Sequence, residues 1–533
     1  MKNYFKYPVL FIILTFGIVL GIQIDKVFST DNVRDGVRKF NDVLTYTEKY
    51  YVEQVDTQKL VEAALKGMLD QLDPHSVYIP PKELNNIQES FRGDFEGIGI
   101  EFQVVNDTLT VVSPITGGPS EKLGIMSGDR IVKIDGEDCI GITNDEVRQK
   151  LRGKAGTKVN VTIVRAGVTE PLDYEIVRDK IPIFSVDTHF MYDKKTGYVS
   201  VSRFSETTTK ELTDALNDLK QNGMKQLILD LRGNPGGYLN QAVKIADLFI
   251  SGDKKIVYTR GRREEFDEDY FARRPSDFEK IPLIVLINRG SASASEIVSG
   301  ALQDWDRGLI VGETSFGKGL VQRQFSLFDN SAIRLTISKY YTPSGRSIQR
   351  PYGDKKEYYS EPGHRTEKEG DNFEHNAEED TTHPVFKTNG GRTVYGGGGI
   401  TPDYIVKSEK VTAFSQDLLR KNIFYQFVLN YLNSHGNEIE RKFGNDLNKF
   451  KTEFNFSDSE IGSFLKFAKS KEAKYSDEDF EKDKDYIKAR LKAQVARNYW
   501  KNKGWYEILL DVDDQFLKAV TLFDEAKELA KLK

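Results

Sequence analysis

At 533 residues the chain exceeds what one hydrophobic core supports, and it implies roughly three or four domains. A net charge of −5, with 29% charged residues, leaves no basic surface that would argue for nucleic acid as a partner. One cysteine, Cys139, excludes an internal disulfide framework and any cysteine-based metal site, and the six histidines are scattered without metal-ligand spacing.

Lys2 and Lys6 precede an apolar run over residues 7–22, the pattern of an export signal. No small-x-small cleavage site follows. The run is marginal against the ~17–25 residues of a spanning helix. Residues 1–28 therefore read as a signal sequence or membrane anchor, with a retained anchor favoured. Either way the bulk of the chain is expected to be extracytoplasmic, on the periplasmic side in a double-membrane bacterium, with Lys2 and Lys6 left inside. Residues 29–92 read as helical: Val33, Val37, Phe40, Val43 and Leu44 share one face, and Leu60, Ala63, Ala64 and Met68 repeat the pattern. Leu72-Asp73-Pro74-His75-Ser76 closes the second helix. A turn locked by Asp73 and Pro74 is the stronger reading there than a catalytic His75.

Residues 93–180 form a separate, β-rich pattern. Gly97-Ile98-Gly99-Ile100 opens a strand, Asn106-Asp107 is a hairpin turn, and residues 128–136 are strand and turn. Thr143 caps a short helix with Glu146 three residues on. Val159, Val161 and Ile163 alternate with polar residues, so one face of their strand is buried. Cys139 reads as a structural thiol. The order of elements, with the G-I-G-I and G-D-R-I-V-K-I-D-G runs, resembles a PDZ domain. In such a domain the backbone of Gly97, Ile98, Gly99 and Ile100 presents N–H groups to a terminal carboxylate, and the strand edge pairs with an extended peptide. The plainer reading is that these glycines only shape a turn.

Residues 181–407 begin a βαβ pattern. The apolar run 227–231 reads as a buried parallel strand. Arg232-Gly233-Asn234-Pro235-Gly236-Gly237 is a loop, and Leu239, Ala242, Val243, Ala246 and Phe249 make a helix stripe. A second unit follows: the apolar run 283–287, a small-residue turn over 290–295, then Ile297, Val298, Ala301, Leu302 and Trp305 at helical spacing. Right-handed crossovers bring both loops to one sheet edge, so the glycine loop should lie beside Ser293. Ser293 stands at a helix mouth, where orphan N–H groups and the dipole favour the negative charge of an oxyanion. A hydroxyl nucleophile needs a base. Lys318, between Gly317 and Gly319, serves only if burial keeps it neutral; lowering a lysine pKa from about 10.4 to about 7 costs roughly 4–5 kcal/mol of disfavoured charge. Gly236 or Gly237 would donate one oxyanion N–H and Ala294 the other. Ser291 and Ser295 are rival nucleophiles. Each piece has a plain alternative: a helix N-cap for Ser293, a solvated turn for Lys318, an ordinary strand residue for Gln322.

The run 288–322 taken whole resembles the catalytic stretch of the carboxyl-terminal processing peptidases, the tail-specific proteases of peptidase family S41, which carry an internal PDZ domain. Ser293, Lys318 and Gln322 match that family in identity and spacing, and the L-D-L-R-x-N-P-G-G run matches its oxyanion loop. Leu72 to Ser76 also resembles the entry to the family's fold. The resemblance covers residues 35–407 and implies a multidomain α/β fold: a crotonase/ClpP-like βαβ protease core (181–407) with an inserted PDZ domain (93–180) and helical N- and C-terminal regions (29–92 and 408–533). It also implies a serine-type endopeptidase cutting exported proteins near their C-termini, with no metal or organic cofactor needed. Ser293 is then nucleophile, Lys318 base and Gln322 its orienting partner. The partners are protein or peptide substrates with free C-termini, and the membrane through the N-terminal segment. The other function class is a catalytically silent, PDZ-based binding scaffold.

Two segments depart from the core pattern. Residues 353–383 are polar, charged and poor in aliphatics, and read as a surface insertion. From 408 the chain is helical: Phe464, Leu465, Phe467 and Ala468 lie on one helix and Ile487, Leu491, Val495 and Tyr499 on another. Phe516, Leu517, Val520, Phe523 and Ala526 form the last. These faces pack on the core or on a second subunit. Relatives of the resembled kind can dimerise through terminal helices, which leaves a homodimer open.

Overall fold

The computed structural model describes residues 31–165, 167–353, 355–368, 383–408 and 410–532. The segment 1–28, read above as signal or anchor, lies outside the described residues. Among the described residues no helix is long and apolar enough to cross a membrane. The chain divides into two compact units, Met1–Ile79 with Gln324–Leu335, and Pro80–Arg323 with Thr336–Lys533.

In the smaller unit, helices Asp31–Tyr50 and Thr57–Leu69 form where the periodicity places them. Asp56 caps the second by accepting the Lys59 N–H, the usual satisfaction of a free first-turn donor. The expected turn closes on Asp73. Its Oδ1 accepts the N–H groups of His75 (2.9 Å) and Ser76 (3.1 Å), and Oδ2 accepts the Ser76 hydroxyl (2.6 Å). His75 thus lends its backbone to a turn. Strand Val77–Ile79 pairs antiparallel with Ala332, Ile333 and Arg334.

The larger unit carries three assemblies. The first is a PDZ fold, an antiparallel sheet in the spatial order Ile100–Val105, Thr108–Pro114, Arg130–Ile134, Lys158–Val164, Leu172–Val177. Strand Ile100–Val105 is its edge. The hairpin turn Asn106-Asp107 has positive φ at both residues, 47° and 59°, the handedness a two-residue loop needs between twisted strands. Val159, Val161 and Ile163 alternate into a core with Leu109, Val111, Ile131 and Val147. Helix Asn144–Leu151 begins with the expected capping box: the Thr143 N–H donates to Glu146 Oε2 (2.8 Å) and the Glu146 N–H to Thr143 Oγ1 (3.3 Å). Cys139 is buried, its thiol donating to the Ile131 carbonyl, and burial pushes its pKa up. An inert structural thiol results.

The second assembly is a sheet in which Thr196–Val201, Gln226–Asp230, Leu283–Ile287, Leu309–Gly312 and Tyr404–Ile405 run parallel in that order. Val186–Met191 lies antiparallel at one edge. Both faces are covered, which is why Leu283–Ile287 is apolar throughout and Gln226–Asp230 is apolar between its two end residues. Alternate residues serve opposite faces. Leu227, Leu229, Val285 and Ile287 meet Leu212, Leu216, Ala242, Ile245, Val298 and Ala301 of three helices, Thr208–Gln221, Leu239–Asp247 and Ala294–Asp304. Tyr198, Ile228, Ile284 and Leu286 face the other way and meet Phe516, Ala519, Phe523 and Ala526. The end of the chain therefore packs on this sheet. The single last helix expected from sequence is two, Asp514–Val520 and Phe523–Leu529.

The third assembly, residues 413–509, is helical around a separate aromatic core that includes Phe414, Phe424, Phe427, Phe450 and Phe464. The stretch expected as a surface insertion is not wholly solvated. It carries helix Lys355–Lys368, whose Tyr358 is buried edge-on to Phe316, ring centroids 5.6 Å apart, with the Arg350 guanidinium 4.0 Å from its ring. Apolar packing against the loop before Lys318 explains the departure. Residues 369–382 lie outside the described residues.

Candidate active site

Because strands Gln226–Asp230 and Leu283–Ile287 are parallel neighbours, the loops that follow them leave the same sheet edge. Polar side chains then bind the two loops together. Asn288 Oδ1 accepts the Gly233 N–H (2.8 Å) and the Gly290 N–H (3.0 Å). The Ala292 N–H donates to the Asn234 carbonyl (2.9 Å). A Cβ added to Gly236 would stand 2.8 Å from Ser293 Cβ and 2.9 Å from the Ala294 nitrogen, so only glycine lets this loop press against the serine.

The three candidate serines differ in what holds them. The Ser291 hydroxyl is fully buried and donates to the Leu231 carbonyl (2.8 Å), and the Ser295 hydroxyl, equally buried, donates to the Asn234 carbonyl (2.9 Å). Ser293 alone of the three is partly exposed. It has φ 56° and ψ −111°, a conformation costly for a residue with a Cβ, and it opens helix Ala294–Asp304. Its carbonyl accepts the Tyr340 hydroxyl (3.2 Å).

Glu296, one turn into that helix, joins the serine turn to the lysine loop. Its Oε2 accepts both the Ser293 N–H (2.7 Å) and the Lys318 N–H (2.9 Å), so the two backbone nitrogens stand no farther apart than two hydrogen bonds. Its Oε1 accepts the Ser315 hydroxyl (2.5 Å) and the Gly317 N–H (2.6 Å). Complete burial pushes the Glu296 carboxyl pKa up, against the pull of the Ser315 hydroxyl and the three N–H groups. Lys318 is half-buried and its Nζ donates to Gln322 Oε1 (2.8 Å). The following residue is fixed as well: the Gly319 N–H donates to Gln349 Oε1 (2.8 Å).

The structure separates the two glycines offered as oxyanion donors. The Gly236 N–H is engaged by Asn234 Oδ1 (2.9 Å), an internal turn bond that competes with any external acceptor. The N–H groups of Gly237 and Ala294 donate to no group among the described residues. Gly237 is itself held in place because the Phe204 N–H donates to the Gly236 carbonyl and the Tyr238 N–H to the Phe204 carbonyl.

In the β-rich domain the Ile98 carbonyl accepts both the Ser120 hydroxyl (2.6 Å) and the Ser120 N–H (3.2 Å), and the Gly99 carbonyl accepts the Ile115 N–H (2.9 Å). Peptide planarity turns the Gly99 and Ile100 N–H groups the opposite way. They open toward the free edge of strand Ile100–Val105, at the end of a cleft of about 380 Å³ lined by Ile100, Phe102, Val104, Asn144 and Arg148. Gly97, by contrast, pairs with Asp179 in a two-stranded ribbon. Among the described residues no cluster of His, Cys, Asp or Glu could hold a metal ion.

Sequence reasoning gave Glu296 no role, although Ser293-x-x-Glu296 has the capping-box spacing recognised at Thr143 and Glu146. Asn234, Asn288 and Tyr340 were also missed. Tyr340 sits in an ordinary strand pattern 47 residues from Ser293 and carries no sequence signal.

Peptidase family S41 matches residues 195–354, and the PDZ domain family matches 110–165. The N-terminal domain of the activating protease CtpB matches 23–82, and a family of unknown function matches 414–501. A carboxy-terminal-processing protease of Bartonella bacilliformis is 41% identical over 342 residues, spanning 63% of this chain and 78% of that protein. The carboxy-terminal processing protease CtpA of Bacillus subtilis is 39% identical over 316 residues, spanning 58% of this chain and 66% of that protein. Among solved structures, a photosystem II D1 C-terminal processing protease is 31% identical, covering 57% of this chain and 82% of that one, with a TM-score of 0.33.

Proposed function

The chain belongs to peptidase family S41, the carboxy-terminal-processing proteases, and on that footing we propose that it is a serine endopeptidase with a Ser293–Lys318 dyad, cutting exported proteins whose C-terminal tails its PDZ domain holds. Neutral Lys318 Nζ takes the Ser293 proton as Oγ attacks the scissile carbonyl carbon. The Gly237 and Ala294 N–H groups receive the oxyanion, at the positive end of helix Ala294–Asp304. Collapse of the tetrahedral intermediate expels the amine, which takes the proton from Lys318. Water then attacks the acyl-enzyme with Lys318 again as base, and the serine is restored. Gln322 holds the lysine Nζ through its 2.8 Å bond. Upstream, the Gly99 and Ile100 N–H groups take the terminal carboxylate and the edge strand takes the tail. Lys2, Lys6 and the apolar run after them support an extracytoplasmic, membrane-tethered enzyme.

The observation that carries this reading is the shared Glu296 oxygen, which brings the Ser293 and Lys318 backbones together from separate loops. Cleavage of a tail-bearing protein by wild type, Ser293→Ala and Lys318→Arg tests it. Arginine keeps the charge but does not deprotonate near neutral pH. Both variants are expected to lose about 10³-fold or more in kcat. Equal cleavage by all three would assign the cleavage to a contaminant and leave the chain a binding scaffold.

A further inference from the structure

The tail cleft has a wall that the PDZ fold does not supply. Asn422, the residue before helix Ile423–Phe443 of the 413–509 assembly, lines it. Its Nδ2 donates to Gln103 Oε1 on the edge strand. The same assembly grips the PDZ domain on both sides of this point. Arg497 Nη2 reaches both Glu101 oxygens (2.8 and 3.0 Å), Lys501 Nζ reaches Glu121 Oε1 (2.8 Å) and Thr116 Oγ1 (2.7 Å), and Lys471 Nζ reaches Asn106 Oδ1 (3.1 Å).

Strand parity says what such a wall meets. Ile100 and Phe102 turn toward the PDZ core, so Glu101 and Gln103 turn to the opposite face, where Arg497 and Asn422 stand. A peptide added to this edge alternates in the same way. With its carboxylate at the Gly99 and Ile100 amides and its last side chain on the apolar side, the second residue from its end comes beside Glu101 and the fourth beside Gln103. The Glu101–Arg497 pair is internally satisfied. The Asn422–Gln103 pair is not: Asn422 Oδ1 and Gln103 Nε2 have no other partner among the described residues. One acceptor and one donor remain whichever way the two amides are turned, and together they complement a carboxamide.

We propose that the C-terminal helical assembly completes the tail-reading site, and that Asn422 with Gln103 selects Asn or Gln at the fourth position from the substrate's C-terminus. This gives a role to the region that matches a family of unknown function, and it rests on the reading of the PDZ domain as a tail binder. The test is fluorescence anisotropy on full-length Ser293→Ala protein with two free-acid peptides that differ only in Gln or Leu at that position. The Gln peptide should bind about 3- to 10-fold more tightly, the span of one or two net hydrogen bonds. Asn422→Gly removes the amide at a residue whose φ of 54° suits glycine, so it should bring that ratio to about one without straining the chain. Gln103→Leu should do the same from the other side of the pair. An unchanged ratio in both variants, or equal weakening of both peptides, overturns the proposal. A C-terminally amidated peptide separates the two levels: if amidation costs no affinity, tail reading itself fails, whereas carboxylate-dependent binding with an unchanged ratio removes only the role of Asn422.

Discussion

Glu296 shows how much of a candidate active site can hang on one fully buried side chain. All four of its contacts are donors, two to each oxygen, so the site needs an acceptor-only group. Glu296→Gln keeps the volume but turns an NH2 toward two donors in either amide orientation. Each charged hydrogen bond lost is worth about 1.5–3 kcal/mol, and the slackened lysine loop should lower kcat on the order of 100-fold, since an ångström of misplacement suffices for that. KM should move little. A kcat equal to wild type would mean that the carboxylate does not hold the loops in register. At this scale the sequence was partly legible. Ser293, Lys318 and Gln322 stood out because their spacing within one run is distinctive. Glu296 sat in the same run at capping-box spacing and still showed nothing of its second partner. The Lys318 N–H comes from a loop beyond an intervening strand, and no local pattern encodes that meeting.

Elements were legible wherever local chemistry decides them. The helix at Thr143 announced itself by its cap, the strand at 283–287 by its unbroken apolar run, and the helix through Ile487 and Leu491 by its stripe, although nothing in that stripe announced the non-helical residues Trp500 and Lys501 inside Asp477–Leu509. What each element packs against was not legible, because an apolar face does not name its partner. The end of the chain is the clearest case. Beyond covering the sheet, it reaches the glycine loop: Arg232 donates to Asp513 Oδ1 (2.9 Å) and Oδ2 (2.7 Å) and to Gln515 Oε1 (3.0 Å), while its other donors hold Asp230. Arg232 opens the loop that carries Gly236 and Gly237, so the segment after residue 512 braces that loop from behind. Asp513→Ala should cost about 1.5–3 kcal/mol of stability, because it removes charged hydrogen bonds from a mostly buried guanidinium. It should also reduce kcat several-fold, with Asp513→Glu recovering part of both. Thermal melting and steady-state kinetics read the two effects. If neither moves, the brace is incidental to the loop.

At the scale of the larger unit, the PDZ match at 110–165 precedes the S41 match at 195–354, as the motifs led one to expect, but the polar contacts between modules had no signal in the sequence. Asp187 is one such contact, and its protonation offers a way to sense the packing. It lies on the edge strand Val186–Met191 and meets the long helix Asp477–Leu509, accepting the Ser202 hydroxyl (2.7 Å) and the Tyr506 hydroxyl (3.3 Å). Burial pushes its pKa up; the two hydroxyls and the Arg203 charge oppose that shift, and the Asp230 charge adds to it. Tyr506 is itself pushed up to about 12 by burial and stays a donor. A raised carboxyl pKa means that the folded protein keeps the Asp187 proton to a higher pH than the unfolded chain does. Stability therefore falls as pH rises from the usual aspartate value of 3.8 through the folded value, and above that window the wild type carries a constant penalty. Asp187→Asn cannot ionise; its carbonyl oxygen accepts one of the two hydroxyls, and its NH2 donates to the oxygen of the other. Its Tm should exceed that of wild type at neutral pH, with the gap closing as pH falls toward 3.8. Melting curves across that range decide it: a variant less stable at every pH would mean that the ionised carboxylate, well served by its two hydroxyls, stabilises the contact between strand and helix.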